Sequence, residues 1–213
     1  MKLWDVSRAL AENLAPWPGD TPFSHKLVSQ IATGSSVNVG AIGLSVHNGT
    51  HADAPFHFDN GGKAIDAMPL ENYFGPCVVV DLKERFSENQ REIQINDLSP
   101  NEKTISESRR LLIKTNIWTD SSVFPSWIPV IAPGVAEWLQ ARHVVLIGFD
   151  VPSVDPIDAK VLVNHHALAR AGICIVESLD LSVVEGGLYQ FAAFPLKISG
   201  GDAAPLRAVL WRT

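Results

Sequence analysis

Cysteine and concentrated positive charge are scarce in this sequence. Only two of the 213 residues are cysteines, and 17 Lys and Arg stand against 23 Asp and Glu, giving a net charge of −6. Cys77 and Cys174 lie far apart in apolar runs without a C-x-x-C pair, which predicts buried free thiols in a reducing cytoplasm rather than a disulfide or a metal site. No block of Lys and Arg is present, so nucleic acids and anionic membranes are poor partners.

Long apolar runs are also missing. No stretch approaches the length of a transmembrane helix, and Asp5 stands where a signal peptide needs an apolar run, so we expect a cytoplasmic protein. The apolar fraction of 46% and the charged fraction of 19% are typical of a globular protein with a sizeable core. No linker divides the chain, and residues 1–213 are therefore expected to form one domain.

Motifs for nucleotide binding and for serine hydrolysis are absent as well. The glycine pairs of the chain follow no dinucleotide or phosphate-loop pattern and predict turns. Ser153 has no flanking nucleophile-elbow glycines, which argues against a Ser-His-Asp triad. With Asp150 and Asp155, Ser153 predicts either a self-capped turn or side chains that support a nearby site.

Strand-like segments dominate the pattern that is present. They cover residues 37–46, 77–82, 111–114, 144–149, 173–177, 190–198 and 206–211. Two of them are continuous apolar runs, as expected for strands covered on both faces. Helices are predicted at 133–142, in the second half of 159–171 and, with a more polar pattern, at 100–110. The polar region 84–110 as a whole predicts a surface excursion. These elements indicate a strand-rich α/β fold.

The most informative stretch covers residues 47–57, which hold three of the seven histidines and one carboxylate. His51, Asp53 and His57 share the same parity, so an extended segment points them to one side. The Asn-Gly pair before them favours a tight turn that brings His47 back towards the group. The glycine and the proline of this stretch argue against a continuous helix. Nitrogen and oxygen donors on extended backbone suit zinc, or manganese if carboxylates dominate.

A second candidate segment supplies two more histidines and a carboxylate. His165 and His166 start a predicted helix, and Glu177 ends the apolar strand that follows it. A carboxylate at the end of a buried strand is costly unless it is paired or bound to a metal. Taken alone, this segment is equally compatible with an ordinary helix-capping His pair. With the first cluster present, Asp53 and Glu177 could each bridge two metal ions in a shared site.

These motifs resemble the metal-dependent cyclase-type hydrolase family over nearly the whole chain. The similarity includes the H-x-G-T-H-x-D-x-P-x-H pattern and the family's His-to-Glu spacing, which His165 matches with Glu177 and His166 does not. Three further segments are similar to that family: residues 16–22, 150–156 and 200–210. The resemblance implies a single domain of the cyclase-like, swivelling β/β/α type. It also implies a homodimer or a higher homo-oligomer.

The resemblance further implies a role for each candidate side chain. Five of them would bind two divalent ions per subunit, with Zn²⁺ expected first and Mn²⁺ or Co²⁺ as alternatives: His47, His51, Asp53, His165 and Glu177. In that assignment Asp53 bridges the ions and Glu177 contacts both. His57 is the acid/base residue, and Trp17 lines the aromatic end of the substrate pocket.

Within the family, the chain most resembles bacterial arylformamidases. This implies hydrolysis of the small aryl formamide N-formyl-L-kynurenine to L-kynurenine and formate in tryptophan degradation. The chemistry expected is attack by an activated water, with His57 passing a proton to the leaving nitrogen. Two alternatives remain open on the sequence: a related hydrolase that opens a cyclic amide such as isatin, and a non-catalytic metal-binding protein with a closed site.

Overall fold

The computed structural model describes residues 1–212, and one large sheet organises them. The strands are β1 (Lys2–Asp5), β2 (Ser24–Ser29), β3 (Val39–Gly43), β4 (His51–Asp53), β5 (Phe74–Asp81), β6 (Glu92–Ile93), β7 (Arg110–Lys114), β8 (Val130–Ile131), β9 (Leu146–Phe149), β10 (Cys174–Glu177), β11 (Gly187–Ala192), β12 (Ala203–Pro205) and β13 (Val209–Arg212). The α-helices are α1 (Ile95–Leu98), α2 (Glu102–Ser108), α3 (Val135–Gln140) and α4 (Val163–Arg170).

Nine strands form this sheet in the order β1-β13-β11-β5-β7-β9-β10-β4-β12. The four central strands, β5, β7, β9 and β10, run parallel, and the other pairings are antiparallel. Alternate residues of the central strands enter two separate apolar clusters, one on each face. For example, Val78 and Val80 face one cluster and Val79 the other. The expected strand-rich α/β class is confirmed, and so is the expectation that the apolar runs form strands covered on both faces.

The predicted element positions agree with the structure in the centre of the chain and differ elsewhere. The helix predicted in the second half of 159–171 is α4, and it stops before Gly172, whose φ of 71° ends it. The last antiparallel strands are shifted, since β11 begins at Gly187 rather than at residue 190. β1 and β12 were not predicted because they have only four and three residues, and β2 was not predicted because it lacks a clear apolar alternation.

The prediction of a polar surface excursion at 84–110 is wrong. This region contains β6, α1 and α2, and it buries Ile93, Leu98 and Ile105 completely against the core. The apolar residues of this region are widely spaced among charged ones. Its average polarity is therefore high, although one face of the region packs against the core. Cys77 and Cys174 are buried and free, as predicted. Within residues 1–212, no helix has the length and apolarity that a membrane crossing requires.

Candidate metal centre and substrate cavity

The stretch 47–57 reaches the site in two pieces rather than as one extended strand. His51 and Asp53 lie in β4 and point to the same side, as their parity predicts. His57 is the last residue of a 3₁₀ turn, Pro55–His57, so its place in the site comes from a bend in the chain. His47 lies before a turn in which Gly49 adopts a φ of 73°, a conformation that favours glycine.

Three side chains of this stretch, His47, His51 and Asp53, lie close together with Glu177 of β10. His47 Nδ1 lies 3.1 Å and His51 Nε2 lies 3.3 Å from Asp53 Oδ1. Glu177 is the cross-strand partner of His51 in the antiparallel pairing of β10 with β4. Its Oε2 atom lies 3.5 Å from His51 Nε2. Pairing of the two strands therefore brings both buried carboxylates of the site together.

The second segment joins the site through one of its two histidines. His165 Nε2 lies 3.3 Å from Asp53 Oδ2 and 3.6 Å from Glu177 Oε1. Among residues 1–212, His166 belongs to no ligand group and lines a different cavity, although the Phe58 ring lies 5.2 Å from its ring and 5.3 Å from that of His165. The geometry thus separates the two adjacent histidines, because neighbouring side chains on a helix diverge by about 100°.

Hydrogen bonds fix which nitrogen of each buried imidazole faces the carboxylates. His51 Nδ1 lies 2.9 Å from the Gly49 carbonyl oxygen, which can only accept, so Nδ1 carries the hydrogen. His165 Nδ1 donates to Asp155 Oδ2 at 2.7 Å. In the neutral rings both Nε2 atoms therefore present lone pairs to Asp53 and Glu177, as imidazoles that bind metals do.

Among the described residues, Asp53 and Glu177 have histidines but no lysine or arginine as ion-pair partners. His51 Nε2 and both Asp53 carboxylate oxygens are buried without a hydrogen bond in residues 1–212. Burial raises the pKa of Glu177, and the neighbouring charge of Asp53 raises it further. Burial also opposes ionisation of Asp53, but contacts with the surrounding histidines hold its pKa well below the ordinary value. A cluster of buried imidazole nitrogens and carboxylate oxygens is suited to bind a divalent cation.

Two groups of three residues with ligand atoms within 4.8 Å of one another share Asp53. They are His47, His51 and Asp53, and Asp53, His165 and Glu177. The five residues predicted as ligands thus lie together in two groups that could each hold a metal ion.

His57 lies beside this centre and is absent from the two groups that share Asp53. It forms a third group with His47 and Asp202, whose ligand atoms also lie within 4.8 Å of one another. Its side chain is 31% exposed, and its ring centroid lies 4.1 Å from that of His47. Burial lowers the pKa of His57 despite the opposing charge of Asp53. A neutral, partly exposed imidazole beside a metal centre is able to accept a proton.

Asp202 was missed by sequence reasoning. Its Oδ2 atom lies 2.8 Å from His47 Nε2 and 3.6 Å from His57 Nδ1. It directly precedes β12, which pairs with β4 so that Ala203 lies opposite Asp53. A lone carboxylate after a glycine pair carries no local signal, and only the sheet pairing places it here.

Asp150 and Asp155, on either side of Ser153, have separate tasks. Asp155 accepts hydrogen bonds from the His165 side chain and from the backbone amides of Asn164 and His165. It therefore supports the site. Asp150 instead accepts from Thr115 at the end of β7 and ties that loop to the sheet. The predicted self-capped turn is also present, because Ser153 Oγ accepts a hydrogen bond from the Asp155 amide at 3.1 Å. Asp150 fits neither of the two predicted alternatives.

A cavity of about 280 Å³ opens over the centre, and aromatic rings form much of its wall. Trp17 lines this cavity and meets Phe124 edge to face at 5.2 Å. The ring centroids of Trp118 and Phe124 are 6.1 Å apart. The buried Arg8 guanidinium stacks over the Trp118 ring, 4.0 Å from its centroid. Phe124 and Trp118 were not predicted, because both belong to a loop without periodicity.

Comparison with known proteins gives consistent results for family and fold. The family model described as "Putative cyclase" matches residues 4–156. A kynurenine formamidase of Geobacillus thermodenitrificans is 45% identical over 211 residues, which are 99% of this chain and 98% of that protein. A kynurenine formamidase of Bacillus cytotoxicus is 40% identical over 206 residues, with 97% and 95% coverage.

Solved structures share the fold over almost the whole chain. A potential metal-dependent hydrolase with cyclase activity superposes with a TM-score of 0.83 at 27% identity, covering 98% of this chain and 96% of that one. Isatin hydrolase A from Ralstonia solanacearum has a TM-score of 0.79 at 23% identity, with 98% and 91% coverage. At that identity the second likeness concerns the fold alone.

Proposed function

This chain belongs to the cyclase family of hydrolases, and we propose that it hydrolyses N-formyl-L-kynurenine to L-kynurenine and formate in tryptophan degradation. The relatives at 40–45% identity over nearly the full chain are kynurenine formamidases. The observation that carries the proposal is the pair of ligand groups sharing Asp53 at the floor of an aromatic-walled cavity. A flat aryl formamide matches such a cavity, with its reacting carbonyl at the metal end.

We assign five metal ligands for two divalent ions, with Zn²⁺ favoured by the mixed nitrogen and oxygen donors. They are His47, His51, Asp53, His165 and Glu177. When bound, the ions acidify a water molecule and polarise the formyl carbonyl. Asp53 is a member of both ligand groups, and Glu177 completes the group that contains His165. Asp155 holds His165 in the tautomer that leaves Nε2 unprotonated.

His57 is the acid/base residue in this assignment. It accepts a proton from the attacking water and delivers it to the anilide nitrogen, a poor leaving group until it is protonated. The C–O bond to the formyl carbon forms, the C–N bond breaks, and formate and the aryl amine leave. Asp202 faces His57 Nδ1, so Nε2 is the nitrogen that we assign to proton transfer. Trp17 stacks on the aryl ring and favours aryl over alkyl formamides.

We also propose that the enzyme is a cytoplasmic homodimer or higher homo-oligomer. The β2–β3 hairpin lies outside the large sheet and exposes apolar side chains: Leu27, Val28, Ile31, Val37, Val39 and Ile42. An isolated two-stranded hairpin is marginal in water, so contact with a second copy would cover this apolar surface. Light scattering on the purified protein measures the molecular mass, and a strictly monomeric mass contradicts this part of the proposal.

Elemental analysis combined with a substrate panel tests the function. We expect close to two divalent ions per chain and a kcat/KM for N-formyl-kynurenine well above the values for isatin and simple lactams. Preferred turnover of isatin would assign the chain to cyclic amides instead. Full metal content with no turnover of any amide would identify a metal-binding protein without this activity.

A further inference from the structure

Asp20 lines the same cavity as His57 and Trp17 but has no part in the metal centre. It belongs to none of the groups of residues that could hold a metal ion among residues 1–212. It is only half-buried, which distinguishes it from the fully buried carboxylates of the centre. The assigned chemistry therefore leaves one carboxylate of the cavity without a task.

The backbone and one hydroxyl fix this carboxylate beside the indole wall. The Asp20 amide donates to the Trp17 carbonyl at 2.9 Å, and this turn passes through Gly19 at a φ of 98°. Ser45 Oγ donates to Asp20 Oδ2 at 2.8 Å, and the Ser45 amide donates to Thr21. Asp20 is thus presented at a set place in the cavity rather than on a mobile side chain.

The charge of Asp20 is not balanced by the protein. No lysine or arginine of residues 1–212 lines the cavity, and Asp20 forms no ion pair within that range. An ionised carboxylate has acceptor capacity for about four hydrogen bonds, and Ser45 provides one. A half-buried carboxylate without a counter-charge binds a cationic hydrogen-bond donor more favourably than a neutral donor.

We propose that Asp20 binds a primary ammonium on the side chain of the aryl formamide substrate. The assignment rests on the proposed function, and it makes Asp20 a specificity-determining residue. N-formyl-kynurenine carries an ammonium and a carboxylate on its side chain. The cavity offers a fixed counter-charge for the ammonium and no cationic side chain of the described residues for the carboxylate.

Three substrates with the same 2-formamidophenyl ketone core test this selection. The first is N-formyl-kynurenine, the second lacks its carboxylate, and the third lacks its amino group. In the unaltered enzyme we expect kcat/KM to be similar for the first two and about ten- to a hundredfold lower for the third, the worth of a charge-assisted hydrogen bond. In Asp20→Asn this ratio should fall towards one, and Asp20→Glu should restore part of it.

Glu12→Gln is the matched control, since it removes one negative charge from an exposed position of the same segment. It should leave the ratio unchanged. The assignment is overturned if Asp20→Asn retains the ratio. It is also overturned if all three substrates lose activity equally together with bound metal, because Asp20 would then only hold the segment that leads to His47. Failure of the unaltered enzyme on all three substrates refutes the proposed function itself, and this assignment with it.

Discussion

The two ends of the cavity are built in different ways. At the metal end, Asp53, His165 and Glu177 are each only 3% exposed, and paired strands and a helix hold them. At the aromatic end, Trp17 and Phe124 are half-buried and belong to loops. Positioning of charges requires a rigid scaffold, because small displacements cost much of the interaction. Stacking on a flat ring tolerates more variation, so loops are sufficient there.

The largest effect is expected at the shared carboxylate of the metal end. Asp53→Ala removes the side chain that the ligand group of His51 shares with the ligand group of His165. We expect nearly all bound metal and all activity to be lost. Elemental analysis after gel filtration measures the metal. A variant that retains both ions would show that Asp53 does not bridge them.

The adjacent histidines of α4 give the next contrast. His165 faces the carboxylates, whereas His166 lies outside the centre and lines a different cavity. His165→Ala should abolish activity and lower the metal content by about half, and His166→Ala should cost little. Assays of both variants at matched protein concentration provide the comparison. Equal losses, or the reverse order, would contradict the assigned ligand.

His57 lies where the two ends meet, and its replacement should separate binding of metal from turnover. We expect His57→Ala to retain close to the full metal content while kcat falls by about 10²-fold or more, the usual contribution of acid/base catalysis. Metal analysis and steady-state kinetics on one preparation make the test. Loss of metal in this variant would mean that His57 is a ligand.

The same contrast explains which parts were predictable from sequence. His47, His51 and Asp53 lie within seven positions, so turn and strand periodicity alone place them together. Phe124, Asp202 and Asp20 reach the cavity from distant segments, and no local pattern links them. The central strands are continuous apolar runs and were found. Ile93 and Ile105 are single buried residues among charged neighbours, and only tertiary packing makes them core.

Removal of the metal should change how stability depends on pH. In the metal-free protein, burial lowers the pKa of His51, but Asp53 and Glu177 outweigh this effect and raise it to about 10. Burial likewise lowers the pKa of His165, and Asp155 and Asp53 raise it to about 10. Since these values exceed the unfolded value of about 6.5, protonation stabilises the metal-free fold fully below pH 6.5, and this contribution is lost as pH rises towards 10.

Bound metal requires neutral imidazoles, so the loaded protein does not share this loss. The difference in Tm between loaded and chelated protein should therefore widen from about pH 6.5 to about pH 9.5. Scanning calorimetry on both forms at several pH values measures it. A constant difference over this range would show that protons do not occupy the empty ligand positions.

The smallest effect is expected at the aromatic end. Trp17 is half-buried, stands between Pro16 and Pro18 and meets Phe124 at the edge of the cavity. As a cavity wall, Trp17→Ala should reduce the preference for aryl over alkyl formamides by about tenfold, the upper range of an aromatic contact. Metal content should stay constant, and Tm should fall by no more than about 2–4 °C, equivalent to about 1 kcal/mol. Phe194→Ala, which removes an exposed ring that does not line this cavity, is the control for loss of an aromatic side chain elsewhere. A loss of about 3–5 kcal/mol, typical of a truncated core residue, with the aryl preference intact would place Trp17 in the packing and leave Phe124 and Trp118 as the aryl wall.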